Sequence, residues 1–340
     1  MNLLDDRYSR QRLVAGFGDQ GQEKLQARRV ALVGCGALGC SQAQLLGRAG
    51  VGKLTLIDRD FVEITNLHRQ VLFDEQDARE ALPKAEAAAR RLRRINSSIE
   101  IVARVADVTA HTIEGLLEGA DLVLDATDNI EARYLINDVC VKNGVPWIYG
   151  GALGVEGTVM AIHPGQGPCL RCLFDEPPPP GTLPTCDMLG VLNVTPTITA
   201  ALQVAEALKI CAGKPTFPGV TAFELWGSYF RTVKVERNPS CPCCAQRNFE
   251  FLEMGRAASG ATSLCGRNAV QIRPASEQQL DLEALASRLA SAGKVTNNGF
   301  LLRLEVGAQT LHVFKDARAI VKGTDDPAIA RALYARYVGS

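Results

Sequence analysis

The chain carries no excess of charge of either sign: lysine plus arginine and aspartate plus glutamate each number 37 among its 340 residues. That balance excludes recognition of nucleic acid or of a membrane surface by bulk charge. No apolar run approaches the roughly 20 residues that a membrane helix needs, which argues against a membrane protein. The start, Met1-Asn2-Leu3-Leu4-Asp5-Asp6, places two acids where an export signal carries bases, so a cytoplasmic location is expected. Histidine is scarce, at 4 residues. His111, His163 and His312 have no partner at ligand spacing and read as structural or exposed, and His68 as a local hydrogen-bonding group.

Cysteine, by contrast, is plentiful, at 11 residues. Without an export signal, these thiols are expected to serve a metal or chemistry rather than disulfides. The length exceeds one average domain, and 46% hydrophobic with 22% charged residues is an ordinary globular balance. A large core with a small appendage is therefore expected.

Short apolar runs alternate with helical periodicity through the first 150 residues. Val30–Val33, Lys53–Asp58, Ile99–Val105, Asp121–Asp125 and Pro146–Tyr149 read as strands. Leu38–Arg48, closed by Gly50, reads as a helix, and Ile130–Asn143 as another. Pro83 opens a further helix with Ala85, Ala88, Ala89, Leu92 and Ile95 on one face. This pattern predicts an α/β fold: a Rossmann-like, mostly parallel sheet, continued by antiparallel strands near Gly157–Ile162 and Val220–Trp226, with a helix at Thr195–Ala212. The division expected is 1–250 for the main domain, 251–263 for a linker and 264–340 for a small α+β domain. In that last unit, strands are expected near Ala269–Ile272, Phe300–Val306 and Thr310–Phe314, and helices near Leu280–Ala292 and Pro327–Tyr337. Gly151-Ala152-Leu153-Gly154 echoes the first glycine loop but precedes a strand, and reads as a turn.

Gly34-Cys35-Gly36-Ala37-Leu38-Gly39 fits GxGxxG between a strand and a helix, where bare backbone and helix-start N–H groups receive a phosphate. Asp58, at the end of the next strand, suits ribose hydroxyls. These residues leave NAD and ATP open and by themselves favour NAD. Asn66, Arg69, Gln70, Lys84 and Asp128 downstream tip the balance towards ATP. Attack on an α-phosphate spreads negative charge that Arg and Lys stabilise, and a carboxylate such as Asp128 can hold Mg²⁺. Separately, Cys169-Leu170-Arg171-Cys172 and Cys241-Pro242-Cys243-Cys244 supply two CxxC pairs. Four thiolates, Cys169, Cys172, Cys241 and Cys244, make a closed, structural Zn²⁺ site, with Cys243 as a surplus thiol that competes as a ligand.

Arg7-Tyr8-Ser9-Arg10-Gln11, the glycine loop, Leu56-Ile57-Asp58, Asn66-Leu67-His68-Arg69-Gln70, Pro83-Lys84 and Asp125-Ala126-Thr127-Asp128-Asn129 occur in this order. The series resembles the MoeB/ThiF family, relatives of the ubiquitin-activating enzymes, over residues 5–248. The resemblance implies an ATP-dependent adenylyltransferase acting on the C-terminal Gly-Gly carboxylate of a ubiquitin-like sulfur-carrier protein. It implies ribose binding by Asp58, phosphate contacts by Asn66, Arg69, Gln70 and Lys84, and Mg²⁺ at Asp128, with Asp60 and Asn129 in the same nucleotide-facing set. It also implies a homodimer in which Arg10 enters the partner subunit's site. Ala37 stands where many members have glycine, a change that a backbone contact tolerates if the dihedrals permit.

Cys186, in Leu183-Pro184-Thr185-Cys186-Asp187, matches the active cysteine of ThiF-like relatives. A thiolate there could take the acyl group or sulfur, although Asp187 beside it would raise its pKa. Residues 264–340 show no catalytic set, and docking of the carrier or a sulfur donor stands about even with a purely structural role. The rival expectations are an NAD-dependent oxidoreductase and a non-catalytic nucleotide-binding scaffold.

Overall fold

The computed structural model describes residues 7–178, 189–255, 261–264, 268–274 and 278–339. Two sheets form. The first has eight strands: β1 Arg29–Val33, β2 Lys53–Asp58, β3 Glu100–Val105, β4 Leu122–Asp125, β5 Trp147–Leu153, β6 Glu156–Ile162, β7 Gly219–Glu224 and β8 Tyr229–Lys234. Their order is β3-β2-β1-β4-β5-β6-β7-β8. The first five pair in parallel and the last three add antiparallel. This is the predicted fold class. The order reverses between β1 and β4, which opens a crevice beyond their carboxyl ends.

Strands β1 and β4 are apolar on both faces because both faces are covered. On one face, helices Ala37–Ala49, Lys84–Ile95 and Val194–Ala212 bury Leu32, Leu46, Leu54, Leu92 and Val204. On the other, helix Ile130–Asn143 packs Leu135, Ile136 and Val139 against Val33, Val123 and Trp147. Gly50 and Gly144 end two of these helices in the left-handed conformation, φ 87° and 70°, as the glycine positions in the sequence predict. Gly151-Ala152-Leu153 is not a turn: it extends β5 to Leu153 and pairs with β6, leaving only Gly154 at positive φ. The hairpin register with β6 overrides the local glycine signal.

The second sheet has six strands, β9 Ala261–Leu264, β10 Ala269–Ile272, β11 Lys294–Asn297, β12 Leu301–Val306, β13 Gln309–Phe314 and β14 Ala319–Lys322, in the order β11-β12-β13-β14-β10-β9. Helices Leu282–Leu289 and Pro327–Tyr337 cover it. The stretch 251–263 holds most of helix Glu250–Gly255, with Leu252 buried, and the first residues of β9. Phe61 from the large sheet's side meets Ala269, Leu301, Phe314 and Ile320, which joins the two units.

His312 lies at this junction, 4% exposed, its ring stacked on Phe61 at 4.3 Å. Burial, and then Arg303 opposite it on β12, push its pKa from 6.5 down to about 4. Between those values the unfolded chain takes up a proton that the folded chain does not. Stability therefore falls as pH drops from 6.5 to about 4, by roughly 3 kcal/mol at most from this group. His312→Leu should flatten the dependence of melting temperature on pH across that window. An unchanged slope would mean that the ring takes its proton while folded.

Candidate active site

Strand β1 delivers the chain to Gly34, whose φ of 101° admits few residues with a side chain. A Cβ there would also stand 2.6 Å from the Ala126 carbonyl. A Cβ at Gly39 would run into the Gly34 carbonyl. These two glycines let the loop close on itself and on the segment after β4. Gly36 differs: nothing lies within 4 Å of where its Cβ would be. The space above it, at the start of helix Ala37–Ala49, suits a phosphate that needs backbone approach. No side chain caps that helix start. Ala37 is its first residue, in a conformation natural to any side chain, so the departure from glycine costs nothing here.

Asp58 ends β2 beside this loop. Its two carboxylate oxygens accept from Cys35 N at 2.6 Å and Asp60 N at 2.7 Å. Burial raises its pKa above the ordinary carboxylate value, with Lys84 acting in the opposite direction. Lys84, 6% exposed at the first turn of its helix, pairs with Asp60 at 3.4 Å. Its charge also reaches Cys35 in the glycine loop, whose thiol burial pushes far above the usual range. The sequence thus places Asp58, Asp60 and Lys84 in one cluster.

Asp128 is exposed and follows β4, three residues beyond Asp125. The backbone just before it, at Ala126 and Thr127, packs on Gly34. Two arginines sense its charge. Burial works against the cation on Arg59, but Asp107, Asp60 and Asp128 outweigh it and raise its pKa. Burial likewise opposes Arg133, and Asp125, Tyr149 and Asp128 outweigh it. Asp128 thus lies near both arginines, directly after the segment that packs on Gly34. One carboxylate beside a triphosphate fits Mg²⁺, which keeps most of its ligands from phosphates and water.

Asn66 and Gln70 are buried, at 7% and 3% exposed. Asn66 caps its own turn by accepting from Glu63 N, and Gln70 Oε1 has no hydrogen-bond partner among the described residues. Arg69 donates to the Thr65 carbonyl at 3.0 Å, so the structure keeps its guanidinium on its own turn. His68 bonds the same carbonyl, as expected of a local group. Asn129 caps helix Ile130–Asn143 by accepting from Ala132 N. Arg10 is exposed on the short helix Ser9–Arg12. Cys186 and Cys265 lie outside the described residues. Cys35, Cys40, Cys140 and Cys211 are buried, as structural thiols should be.

The sequence marks Asp125 as a strand end but did not single out the residues that brace it. Asp125, fully buried, accepts from Thr127 N and Oγ1 at 2.9 Å and from Arg133 Nε at 3.1 Å. Arg133 Nη2 also reaches the Thr127 and Gly150 carbonyls. Gln203, from helix Val194–Ala212, and Gln42 both donate to the Asp125 carbonyl. These residues fix the strand end from which Asp128 projects. Gln203 lies 78 residues from Asp125, so no local signal links them. Arg133 lies 8 residues from Asp125, in the first turn of the next helix.

The four cysteines of the two CxxC pairs converge as the spacing predicts. Their Sγ atoms all lie within 4.8 Å of one another, with Cys169–Cys241 at 3.6 Å and Cys172–Cys244 at 3.5 Å. Tetrahedral Zn–S bonds of about 2.3 Å place sulfurs about 3.8 Å apart, so the group fits such a metal. Cys243 falls outside this set. It is buried next to Cys169, and Asn137 Nδ2 donates to its Sγ at 3.1 Å.

A doubly wound sheet, a glycine loop at its switch point with an acid–cation cluster beside it, and a four-thiol group that fits a metal define a nucleotide-binding α/β protein. The chain belongs to the ThiF family, which it matches over residues 8–243. It is 41% identical to the sulfur carrier protein ThiS adenylyltransferase of Bacillus subtilis (strain 168) over 339 residues, 99% of this chain and 100% of that one. It is 40% identical to the sulfur carrier protein adenylyltransferase of Thermus thermophilus over 246 residues, 70% of this chain and 90% of that one. The mouse adenylyltransferase and sulfurtransferase MOCS3 is 44% identical over 244 residues, 71% of this chain and 53% of that one. Among solved structures, Escherichia coli MccB with ATP superposes with a TM-score of 0.62 at 24% identity, over 70% of this chain and 74% of that one, a likeness of fold. Among these proteins, the likeness to the Bacillus protein runs on through the C-terminal unit.

Proposed function

We propose that this protein uses ATP to adenylate the C-terminal Gly-Gly carboxylate of a ubiquitin-like sulfur-carrier protein. The observation that supports the reading is the Lys84–Asp60 pair beside Asp58, whose carboxylate accepts from Cys35 N in the glycine loop, with the segment before Asp128 packed on Gly34. A cationic and magnesium-holding set is what attack on an α-phosphate requires, whereas hydride transfer has no use for it. The sulfur-carrier adenylyltransferases at 40% identity and above support the same choice.

In this reading Asp58 orients the ribose and the open backbone at Gly36 receives the phosphates. The carrier's terminal carboxylate attacks the α-phosphorus, the bond to the β-phosphate breaks, and pyrophosphate leaves. Lys84 offsets the charge that develops. Asp128 would hold Mg²⁺, which when bound neutralises the leaving pyrophosphate. Arg69 must swing from the Thr65 carbonyl to join, a rearrangement that a bound triphosphate would favour.

Zinc is the proposed occupant of the four-thiol group, in a structural role. Thiols given over to a metal favour a reducing, cytoplasmic setting. A homodimer is proposed as well. Strand β8 is an edge with all six residues exposed, among them Tyr229, Phe230 and Val233, and Trp226 beside it is 75% exposed. Such an edge is a liability unless a partner covers it. Arg10 is proposed to reach the partner subunit's site, and Cys186 is the candidate thiol for acyl transfer to sulfur, with a sulfur-donor protein as a further partner.

The test is exchange of radiolabelled pyrophosphate into ATP. It should require a carrier ending in Gly-Gly, and a carrier lacking its last glycine should support none. ATP binding without exchange on any such carrier would favour the scaffold, and nicotinamide binding without ATP binding would favour the dehydrogenase.

A further inference from the structure

The C-terminal unit takes no part in the chemistry above, and Asn298 and Lys322 tie it to the Glu80 and Ala81 carbonyls and to Glu63. A further set of its polar contacts with the large unit converges on one turn. Asp107, just past β3 and 9% exposed, accepts from Arg59 Nη1 at 3.1 Å, from Gln271 Nε2 at 2.6 Å and from Arg273 Nε at 2.7 Å. Gln271 lies on β10 and Arg273 just beyond it. Arg318, 2% exposed in the turn before β14, donates from Nη2 to the Arg59 carbonyl at 2.8 Å. Residue 59 is thus held at both ends. Its side chain rests on an acid that the C-terminal unit also grips, and its carbonyl is fixed by a buried guanidinium from that unit. On either side of residue 59 stand Asp58 and Asp60, which bond each other's turn and meet Lys84.

The unit also docks through Phe61, Leu301, Phe314 and Ile320 and through the Asn298 and Lys322 contacts, none of which touches residue 59. Burying a guanidinium against one particular carbonyl is a costly addition unless that carbonyl's direction matters. We propose that Arg318 and Arg273 are positioning residues for the nucleotide: through the Arg59 carbonyl and Asp107 they hold the Asp58–Asp60 turn, so the C-terminal unit belongs to the frame of the ATP site. The proposal rests on the reading of that turn as the ribose edge.

The experiment uses the full chain with Arg318→Met, Arg273→Met and the lysine variant at each position. ATP KM and kcat are measured in carrier-dependent exchange, and ATP affinity by calorimetry without carrier. Each methionine variant should raise KM and Kd for ATP about ten-fold with kcat changed less than about two-fold, and Arg273→Lys should restore most of the loss. A merely structural contact would lower the folded fraction, and so the apparent kcat, at constant KM. Should Arg318→Met not fold, Arg273, with its side chain 27% exposed, carries the test. Unchanged KM and Kd in folded variants overturn the proposal. Wild-type protein that binds ATP but exchanges with no carrier overturns the adenylation reading alone, if the variants still bind ATP more weakly. Wild-type protein that binds no ATP overturns both.

Discussion

Asp128→Ala should lower carrier-dependent exchange by about 10²–10³-fold, because it removes a charge that acts where the transition state gathers its own. The side chain is exposed, and its segment is fixed from below by Asp125, Arg133 and Gln203. Stability should therefore move by no more than about 0.5 kcal/mol, the usual range for a surface site. Asp128→Asn keeps the shape and loses the charge, so it should be nearly as inactive if metal holding is the role. Raised Mg²⁺ should recover part of the asparagine variant's rate. Exchange at the wild-type rate in Asp128→Ala would remove the proposed metal ligand from the mechanism.

Loss of the metal should have the largest effect on stability. The four thiols bring together the segment after β6 and the segment after β8, 69 residues apart between Cys172 and Cys241, and no disulfide among the described residues does so. At a thousandfold excess of metal over its Kd, binding stabilises the folded state by about 4 kcal/mol. A loss of that size in a unit this large corresponds to a fall in melting temperature of roughly 8–16 °C. Chelator treatment or Cys244→Ser should produce it, with bound zinc lost by elemental analysis. Cys243→Ala gives the contrast: that sulfur is engaged by Asn137, so zinc content should stay at one per chain. Zinc lost equally from both variants would mean that five thiols share the site.

These two expectations draw on different amounts of foresight. The glycine loop, Asp58, Asp128 and both CxxC pairs are legible because each sits at or just past a strand end or at ligand spacing, and Lys84 only through the ordered series of motifs that carries the family resemblance. Arg133, Arg59, Gln42 and Gln203 are not, since their roles exist only once distant segments pack together. Gly151–Leu153 misleads for the same reason: its glycines mark a turn locally, and pairing with β6 makes it strand. Strands β8, β11 and β14 also escape notice, being short and defined by the neighbours they pair with.

By itself, then, the amino-acid order determined the parallel α/β core, the nucleotide loop and the thiol set, because backbone periodicity, glycine stereochemistry and ligand spacing are local properties. Only the tertiary structure decided that Cys243 stands aside, that Asp125 is braced from three elements, and that the C-terminal unit grips residue 59. Those outcomes depend on which side chains become buried together, and burial is a property of the whole fold.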